Sequence, residues 1–240
     1  MTDAAAPAPM QITIADFTAG ARAARGLVVV IDVFRAFSVA AYAFSRGAQR
    51  VIPVGEVETA FELKKRYPDA LLIGERFARP LPGFDLGNSP SDLQKFEVRG
   101  RTLIHTTHAG TQGLTGATQA DEVITGALVN AAAIVRYVQS RRPSQVTLVR
   151  MGQEARERNA EDDLCADILS RRLRGEAPDV SRVRDVLRSA PSAAKFFDPA
   201  SDWAPERDFE LCTQVDAFDF VLRLEQGDAA RELHRFDVAS

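Results

Sequence analysis

The run Leu27-Val-Val-Val-Ile31, followed at once by Asp32-Val-Phe-Arg35, predicts the fold of this chain. A short run of mostly β-branched residues is typical of a strand that is buried on both faces of a sheet. Runs of the same kind recur at 50–54, 70–73, 102–104, 122–124 and 146–149. Helical spacing of apolar residues occurs between them, at 57–66, 130–139 and 159–174. We therefore expect an α/β fold in which helices cover both faces of a mostly parallel sheet.

The composition is that of a globular protein. Of its 240 residues, 45% are hydrophobic and 26% are charged, which is sufficient for a sizeable core. The net charge of −3 argues against a dedicated nucleic-acid-binding protein, and no apolar run approaches the ~18 residues of a membrane span. Because Cys165 and Cys212 are too few for a disulfide framework, we expect the protein in the reducing cytoplasm.

We expect one domain with short appendages at both ends. The Ala/Pro-rich segment 1–11 is predicted to be a disordered lead, since it has neither the basic start nor the apolar stretch of a secretory signal. Residues 12–222 are predicted to form a single α/β domain, because we find no internal repeat and no clear linker. Residues 223–240 are polar, and we expect a tail that ends as a frayed helix.

Polar residues directly follow two of the predicted strands. Asp32 and Arg35 come after the first run, and Glu75 and Arg76 come after the run 70–73. Ligands of parallel α/β sheets bind beyond the carboxyl ends of the strands, so these side chains could hold a metal or clamp a phosphate. An ion pair between Asp32 and Arg35 that caps a helix is an equally good interpretation of that pair.

Two loops could contact a ligand through their backbone. Gly83-Phe-Asp-Leu-Gly-Asn-Ser-Pro90 contains two glycines that allow close approach, although its Ser-Pro end also suits a helix start. Thr106-Thr-His-Ala-Gly-Thr-Gln-Gly113 lies between a strand and a predicted helix, whose free N–H groups and threonine hydroxyls would favour a phosphate. We interpret His105 and His108 as polar loop residues more readily than as metal ligands.

Glu161 and Asp162 lie in the first turn of the helix predicted at 159–174. Acidic residues there also favour the helix dipole, so a structural role is a strong alternative. Cys165 and Arg171 match the Cys-x5-Arg spacing of tyrosine phosphatases, but the residues between them contain no glycine and continue a helix, which makes Cys165 a core residue. The nucleotide-binding glycine motifs and the Gly-x-Ser-x-Gly elbow are absent from the sequence.

Taken together, these stretches make the chain resemble the 2-phosphosulfolactate phosphatase family over about residues 28–220. The Gly83–Pro90 octapeptide is the most specific match. The other matching stretches are Val30-Ile-Asp-Val-Phe-Arg-Ala36, Gly74-Glu-Arg76, Thr106-Thr-His-Ala-Gly-Thr111, Gly126-Ala-Leu-Val-Asn-Ala131, Ala160-Glu-Asp-Asp-Leu-Cys-Ala166 and Asp208-Phe-Glu-Leu-Cys212.

The resemblance implies a three-layer α/β/α fold and a Mg²⁺-dependent hydrolase that removes phosphate from 2-phospho-3-sulfolactate. It implies catalytic roles for Asp32, Arg35, Glu75 and Arg76. The residues implied for substrate binding are Asn88, Thr106, Thr107, Gly110, Thr111 and Asn130. The residues implied for metal binding are Asp32, Asp85, Glu161 and Asp162.

Three positions depart from the family pattern. Phe37 and Ala109 stand where a hydroxyl residue and an asparagine are common, and Asp167 stands where glycine is common. These changes spare the charged set and bear on the substrate more than on the reaction. A non-catalytic protein that binds a small phosphorylated anion and a phosphatase of broader range are the alternatives. We expect a small phosphorylated acid as the partner, with no nucleic acid and no membrane, and the sequence leaves open whether the chain forms a homodimer.

Overall fold

The computed structural model describes residues 10–238, which form a ten-stranded sheet with helices packed against it. The strands are β1 (Gln11–Asp16), β2 (Leu27–Ile31), β3 (Arg50–Pro53), β4 (Leu71–Arg76), β5 (Arg79–Pro80), β6 (Thr102–Thr106), β7 (Glu122–Gly126), β8 (Gln145–Arg150), β9 (Phe220–Gln226) and β10 (Arg231–Asp237). The helices are α1 (Phe17–Ala23), α2 (Ala36–Ser45), α3 (Val57–Arg66), α4 (Pro90–Leu93), α5 (Gly110–Gly116), α6 (Ala131–Arg141), α7 (Ala160–Leu173), α8 (Val183–Arg188) and α9 (Glu206–Cys212). Short 3-10 helices occur at Leu128–Asn130 and Pro191–Phe196. All six predicted strand runs are strands, which confirms that part of the prediction.

The sheet is mixed, with two parallel groups joined by an antiparallel hairpin. The strand order is β1-β8-β2-β7-β9-β10-β3-β6-β4-β5. Strands β1, β8, β2 and β7 are parallel to one another, as are β3, β6 and β4. The hairpin β9–β10 pairs antiparallel with β7 on one side and with β3 on the other. Loops that follow strands of both groups nonetheless line one cavity.

Strand β2 divides the core between the two faces of the sheet. Val28 and Val30 belong to an apolar cluster that includes buried residues of α2 and α5. Leu27, Val29 and Ile31 belong to a second cluster with α6 and α7. Successive side chains of a strand point to opposite faces, so helices on both faces bury every residue of this strand. This arrangement confirms the predicted α/β fold with helices on both sides of the sheet.

The structure corrects the prediction of a polar C-terminal tail. Residues 220–226 and 231–237 are the strands β9 and β10 in the middle of the sheet, and no helix follows Cys212 as far as residue 238. The charged residues that suggested a solvated tail are paired within the sheet. Arg50 donates to Glu232 of β10 at 3.1 Å, and Arg223 is paired with Glu225. Leu222 and Leu233 supply the apolar side chains that join the core.

Near the N-terminus, Gln11–Asp16 forms an edge strand that pairs with β8. Gln11, the last residue of the predicted disordered lead, is therefore part of the sheet. The rest of that lead, residues 1–9, lies outside the described residues. Among the described residues, no helix is long and apolar enough to cross a membrane.

Candidate active site

A cavity of about 300 Å³ lies where loops from four strands meet. Asp32 follows β2, Glu75 belongs to the end of β4, His108 follows β6 and Gly152 follows β8. A fifth wall comes from the segment between α8 and α9, which contributes Pro191, Ser192, Lys195 and Trp203. The cavity therefore contains three of the four strand-end side chains that the sequence singled out, namely Asp32, Arg35 and Glu75, but not Arg76.

Asp32 is held at the start of α2 by backbone N–H groups. Its Oδ1 accepts a hydrogen bond from Ala36 N at 3.1 Å, and the side chain is 7% exposed. Burial, together with the neighbouring Glu75 carboxylate, raises the pKa of Asp32 to about 7. Gly110 passes so close that a Cβ there would lie 2.7 Å from Asp32 Oδ2. The absence of a side chain at position 110 therefore lets α5 approach this carboxylate.

Arg35 lines the cavity, but its guanidinium is bound within the protein. Nη1 donates to Asp208 Oδ2 at 2.8 Å and to the Trp203 carbonyl at 2.9 Å, while Nη2 donates to the Ala78 carbonyl at 3.2 Å. An ion pair involving Arg35 does exist, but the partner is Asp208 rather than Asp32. Arg35 thus fixes three segments around the cavity and is largely neutralised.

Glu75 connects two loops of the cavity wall. Its Oε2 accepts from Ala78 N and its Oε1 accepts from His108 N, both at 2.7 Å. Phe77 and Ala78 have φ values of 53° and 61°, a left-handed conformation that is unfavourable for residues other than glycine. The carboxylate of Glu75 therefore holds a tight turn in place at the cavity rim, where Phe77 packs against the His108 ring.

Glu161 and Asp162 both begin α7 but have different positions. Glu161 lines the cavity and accepts a hydrogen bond from the Ser192 hydroxyl. Asp162 accepts from Val33 N and Gly152 N, each at 2.8 Å, and so joins the loops after β2 and β8. Burial and the nearby carboxylates raise the pKa of Asp162 well above its usual value, and burial also raises that of Glu161.

Besides Asp162, which joins two loops and does not line the cavity, two predicted charged residues lie outside it. Arg76 donates to the Glu75 and Gly55 carbonyls at 2.8 Å and to Thr106 Oγ1 at 2.9 Å. Asp85 accepts from Leu72 N at 2.8 Å and lies 4.0 Å from Lys64 Nζ. Because both side chains are engaged elsewhere, the structure does not bring Arg76 to an anion site or Asp85 to the other predicted metal ligands.

The threonine side chains of the loop 106–113 form hydrogen bonds within the protein. Thr107 and Thr111 bond each other, with Thr107 N donating to Thr111 Oγ1 at 2.9 Å and Thr111 N donating to Thr107 Oγ1 at 3.1 Å. Thr106 is bound to Arg76, and Asn130 Nδ2 donates to the Phe220 carbonyl at 3.2 Å. These four side chains do not line the cavity. The loop instead positions its neighbours, since it places Gly110 against Asp32 and His108 in the wall.

Asn88 is the predicted substrate-binding side chain that does line the cavity. Its Oδ1 lies 3.2 Å from His105 Nε2, and both residues are buried. Burial lowers the pKa of His105 to about 4, so this histidine is neutral at physiological pH. His105 does not line the cavity, and its contact with Asn88 fixes the orientation of the Asn88 amide.

Sequence reasoning missed Lys195 and Trp203 and discounted His108. Lys195 and Trp203 follow no apolar run, so no local sequence pattern marked them, and only tertiary packing brings them to the cavity. His108 was marked by its loop but was interpreted as an ordinary polar residue. His108 Nδ1 and Trp203 Nε1 are buried and have no hydrogen-bond partner within residues 10–238. Burial lowers the pKa of the half-buried Lys195, and Arg35 adds to that effect. The cavity thus offers polar atoms that no described protein group satisfies.

Four carboxylates line the cavity and two basic side chains oppose them. The carboxylates belong to Asp32, Glu75, Glu154 and Glu161, and the basic groups to Arg35 and Lys195. Within the described residues, no three His, Cys, Asp or Glu side chains are arranged to hold a metal ion. Mg²⁺ is usually bound by one or two carboxylates, with water and substrate phosphate completing its shell, so Asp32 and Glu161 fit such an ion by donor chemistry.

Cys165 and Arg171, which match the Cys-x5-Arg spacing of tyrosine phosphatases, do not form a phosphate-binding site in the structure. Cys165 is fully buried in the core cluster of α7, and burial raises the pKa of its thiol well above its usual value. Arg171 is exposed and paired with Glu176 at 2.7 Å. A protonated core thiol and a surface arginine cannot form a thiolate phosphate site, as predicted.

The sequence matches the family described as 2-phosphosulpholactate phosphatase over residues 13–227. It is 36% identical over 215 residues to a probable 2-phosphosulfolactate phosphatase of Caldanaerobacter subterraneus subsp. tengcongensis, covering 83% of this chain and 88% of the relative. It is also 36% identical over 211 residues to the Thermotoga maritima protein of the same description, covering 83% and 89%. A relative from Clostridium perfringens strain 13 is 30% identical over 217 residues, covering 84% and 87%.

Proposed function

The chain belongs to the 2-phosphosulpholactate phosphatase family of phosphoric monoester hydrolases, and we propose that it hydrolyses the phosphate ester of a small 2-hydroxy acid. The preferred substrate in this proposal is 2-phospho-3-sulfolactate, the compound after which its relatives are described. The observation that carries the proposal is the strand-end cavity, where buried carboxylates surround a space of about 300 Å³. That volume suits a phosphorylated three-carbon acid better than a large ligand.

The charge of the cavity supports a requirement for a divalent cation. Four carboxylates would repel a phosphate ester, and Arg35, one of the two basic groups, is already paired with Asp208. We propose that Asp32 and Glu161 hold Mg²⁺, which when bound would neutralise phosphate charge. The pKa of about 7 for Asp32 agrees with this idea, because burial and the Glu75 carboxylate outweigh the favourable charge of Lys195, and a bound divalent cation would favour the ionised carboxylate.

The remaining residues would act by fixing the geometry. Hydrolysis forms a bond between water oxygen and phosphorus, breaks the ester P–O bond and leaves a proton for the alkoxide. Such phosphoryl transfer depends mainly on positioning and on stabilisation of charge. Asp162 holds the loops after β2 and β8, and Arg35 binds the Ala78 carbonyl. Glu75 holds the turn at Ala78 and the backbone of His108.

A phosphate-release assay tests the function. Purified protein is incubated with 2-phospho-3-sulfolactate, phospholactate and neutral phosphoesters of similar size, in Mg²⁺ and in chelator. We expect release from the phosphorylated acids in Mg²⁺, loss of turnover in chelator and recovery when Mg²⁺ is restored. Full turnover in chelator would reject the metal assignment. Tight binding of the acids without release under any condition would reject the enzyme in favour of a binding protein.

We also propose a cytoplasmic location. Cys165 and Cys212 are both buried and unpaired among the residues that the structure describes, which suits a reducing compartment. Fractionation of the native host would test this placement, and recovery of the protein outside the cytoplasm would contradict it.

A further inference from the structure

Lys195 carries a positive charge in the cavity without a direct anionic partner. Its side chain lines the same space as Asp32 and Glu161. Within residues 10–238, however, Lys195 Nζ forms no hydrogen bond and has no carboxylate oxygen within 4.0 Å, in contrast to Arg35 and its 2.8 Å pair with Asp208. The ammonium of Lys195 is therefore free to bind an incoming anion.

The position of Lys195 is well defined by its surroundings. It belongs to the 3-10 helix Pro191–Phe196, which begins with proline and is tied to α7 by the hydrogen bond from Ser192 to Glu161. Its Nζ lies 5.2 Å from the centroid of the Phe196 ring, which is itself buried against Phe34. A cation over an aromatic face is favourable, so the ring supports the ammonium without consuming its three N–H donors.

We infer that Lys195 binds an acid group of the substrate other than its phosphate and thereby selects phosphorylated acids over neutral phosphoesters. This inference rests on the proposed function and names the residue that recognises the substrate's second anion. Arg35 and Arg76 are the arginines that the sequence analysis identified as candidates to bind an anion. Neither arginine is free for that role in the structure. Arg35 is paired with Asp208, and Arg76 is hydrogen-bonded to Glu75, Gly55 and Thr106.

The charge of Lys195 fits a carboxylate or sulfonate better than a transferring phosphate. A phosphate monoester carries about two negative charges near neutral pH, and in the proposed function the divalent cation contacts this group. A single ammonium matches one carboxylate or one sulfonate. The aromatic side chains of Phe34, Phe77 and Trp203 line the cavity and offer an apolar surface to the carbon atoms between the two anions.

The test compares three phosphoesters of similar size. Phospholactate carries a carboxylate beside the ester, phosphorylated 2-hydroxyethanesulfonate carries a sulfonate, and isopropyl phosphate carries neither. For each, kcat and KM are measured for the wild type, Lys195→Met and Lys195→Arg. We expect Lys195→Met to lower the ratio of kcat/KM for an acid over isopropyl phosphate by about tenfold or more, mainly through KM. Lys195→Arg should keep most of the ratio because it keeps the charge.

Lys65→Met is the matched control, since Lys65 lies on the exposed face of α3 and is paired with Glu62. It should leave the ratio as in the wild type. An unchanged ratio in Lys195→Met, whatever its absolute rate, would overturn the inference. Equal losses on all three esters would place Lys195 at the phosphate and overturn it as well.

A binding experiment separates this inference from the proposed function. Calorimetric titration of the wild type and Lys195→Met with 3-sulfolactate, which has two acid groups and no phosphate ester, requires no turnover. We expect the affinity to fall about tenfold or more in Lys195→Met. If the wild type releases no phosphate from any ester, the proposed function fails, and this titration still decides the inference. Equal affinity for the two proteins, or no binding to either, would reject it.

Discussion

Arg35 and Asp208 form a buried ion pair between two segments that lie 173 residues apart in the chain. Nη1 of Arg35 lies 2.8 Å from Oδ2 of Asp208, and the side chains are 2% and 0% exposed. The other carboxylate oxygen, Oδ1, accepts from the Ser89 hydroxyl and from Ser91 N, both at 2.9 Å. One carboxylate on α9 therefore fixes the strand-end loop of β2 and the start of α4.

Loss of this carboxylate should destabilise the protein strongly. Asp208→Ala leaves the Arg35 guanidinium buried without its counter-ion, and removal of one partner of such a pair costs about 3–5 kcal/mol. Denaturant unfolding of wild type and variant measures the difference. Glu206→Gln is the control, because the Glu206–Arg188 pair is exposed and its loss should cost about 0–1 kcal/mol. Similar costs for the two variants would contradict the importance of the buried pair.

Asp32→Asn should remove most of the phosphatase turnover and leave the fold intact. The change is nearly isosteric and removes a charge whose burial is unfavourable, so thermal stability should stay the same or increase. Phosphate release and melting temperature are measured on the same sample. A variant that melts lower but keeps near-normal turnover would make Asp32 a structural residue.

Asp85→Ala should instead lower stability and leave turnover unchanged. Asp85 lies outside the cavity and accepts a hydrogen bond from Leu72 N, so its loss should lower stability by about 1 kcal/mol while turnover and Mg²⁺ dependence remain. The concentration of Mg²⁺ that gives half-maximal rate is the deciding measurement. A large increase in that concentration would restore Asp85 to the metal site that the sequence predicted.

Gly110→Ala should reduce turnover through crowding at Asp32. A methyl group at position 110 would lie 2.7 Å from Asp32 Oδ2 and 2.9 Å from Ala36 Cβ, so the carboxylate or the loop must move. Displacement of a reacting group by about 1 Å can cost about 100-fold in rate. Gly116→Ala on the same helix is the control, since the nearest atom to its methyl group is 3.7 Å away. Equal rates for the two variants would exclude this steric coupling.

The stability of the protein should depend on pH through His105. Burial lowers its pKa to about 4 from 6.5, so the unfolded chain binds more protons between these values, and the free energy of unfolding falls as the pH drops from about 6.5 toward 4. Asp32 acts in the opposite direction, because its raised pKa makes the folded state retain a proton. Comparison with His105→Gln isolates the histidine. Between pH 7 and 4.5 the wild type should lose about 2–3 kcal/mol more than the variant. Parallel curves would contradict a buried neutral histidine.

Local patterns determined the elements and much of the site. The run at 27–31 predicted a fully buried strand because a short run of mostly β-branched residues is typical of a strand that is covered on both faces. Asp32 and Glu75 were found because ligands of parallel α/β sheets bind beyond the carboxyl ends of the strands, and the structure places both in the cavity. The hairpin at 220–237 was missed because its charged residues look solvated until Arg50 and the cross-strand partners are known.

The α/β class, the strands and the family could be predicted from residue order, because hydrophobic periodicity and short motifs are local properties of the chain. The partners of the charged side chains depend on the three-dimensional arrangement. It paired Arg35 with Asp208, turned Arg76 and Asp85 away from the cavity and brought Lys195 into it. The interactions of a charged group depend on the distance and burial of other groups, and such groups can be far away in the chain, as Asp208 is 173 residues from Arg35.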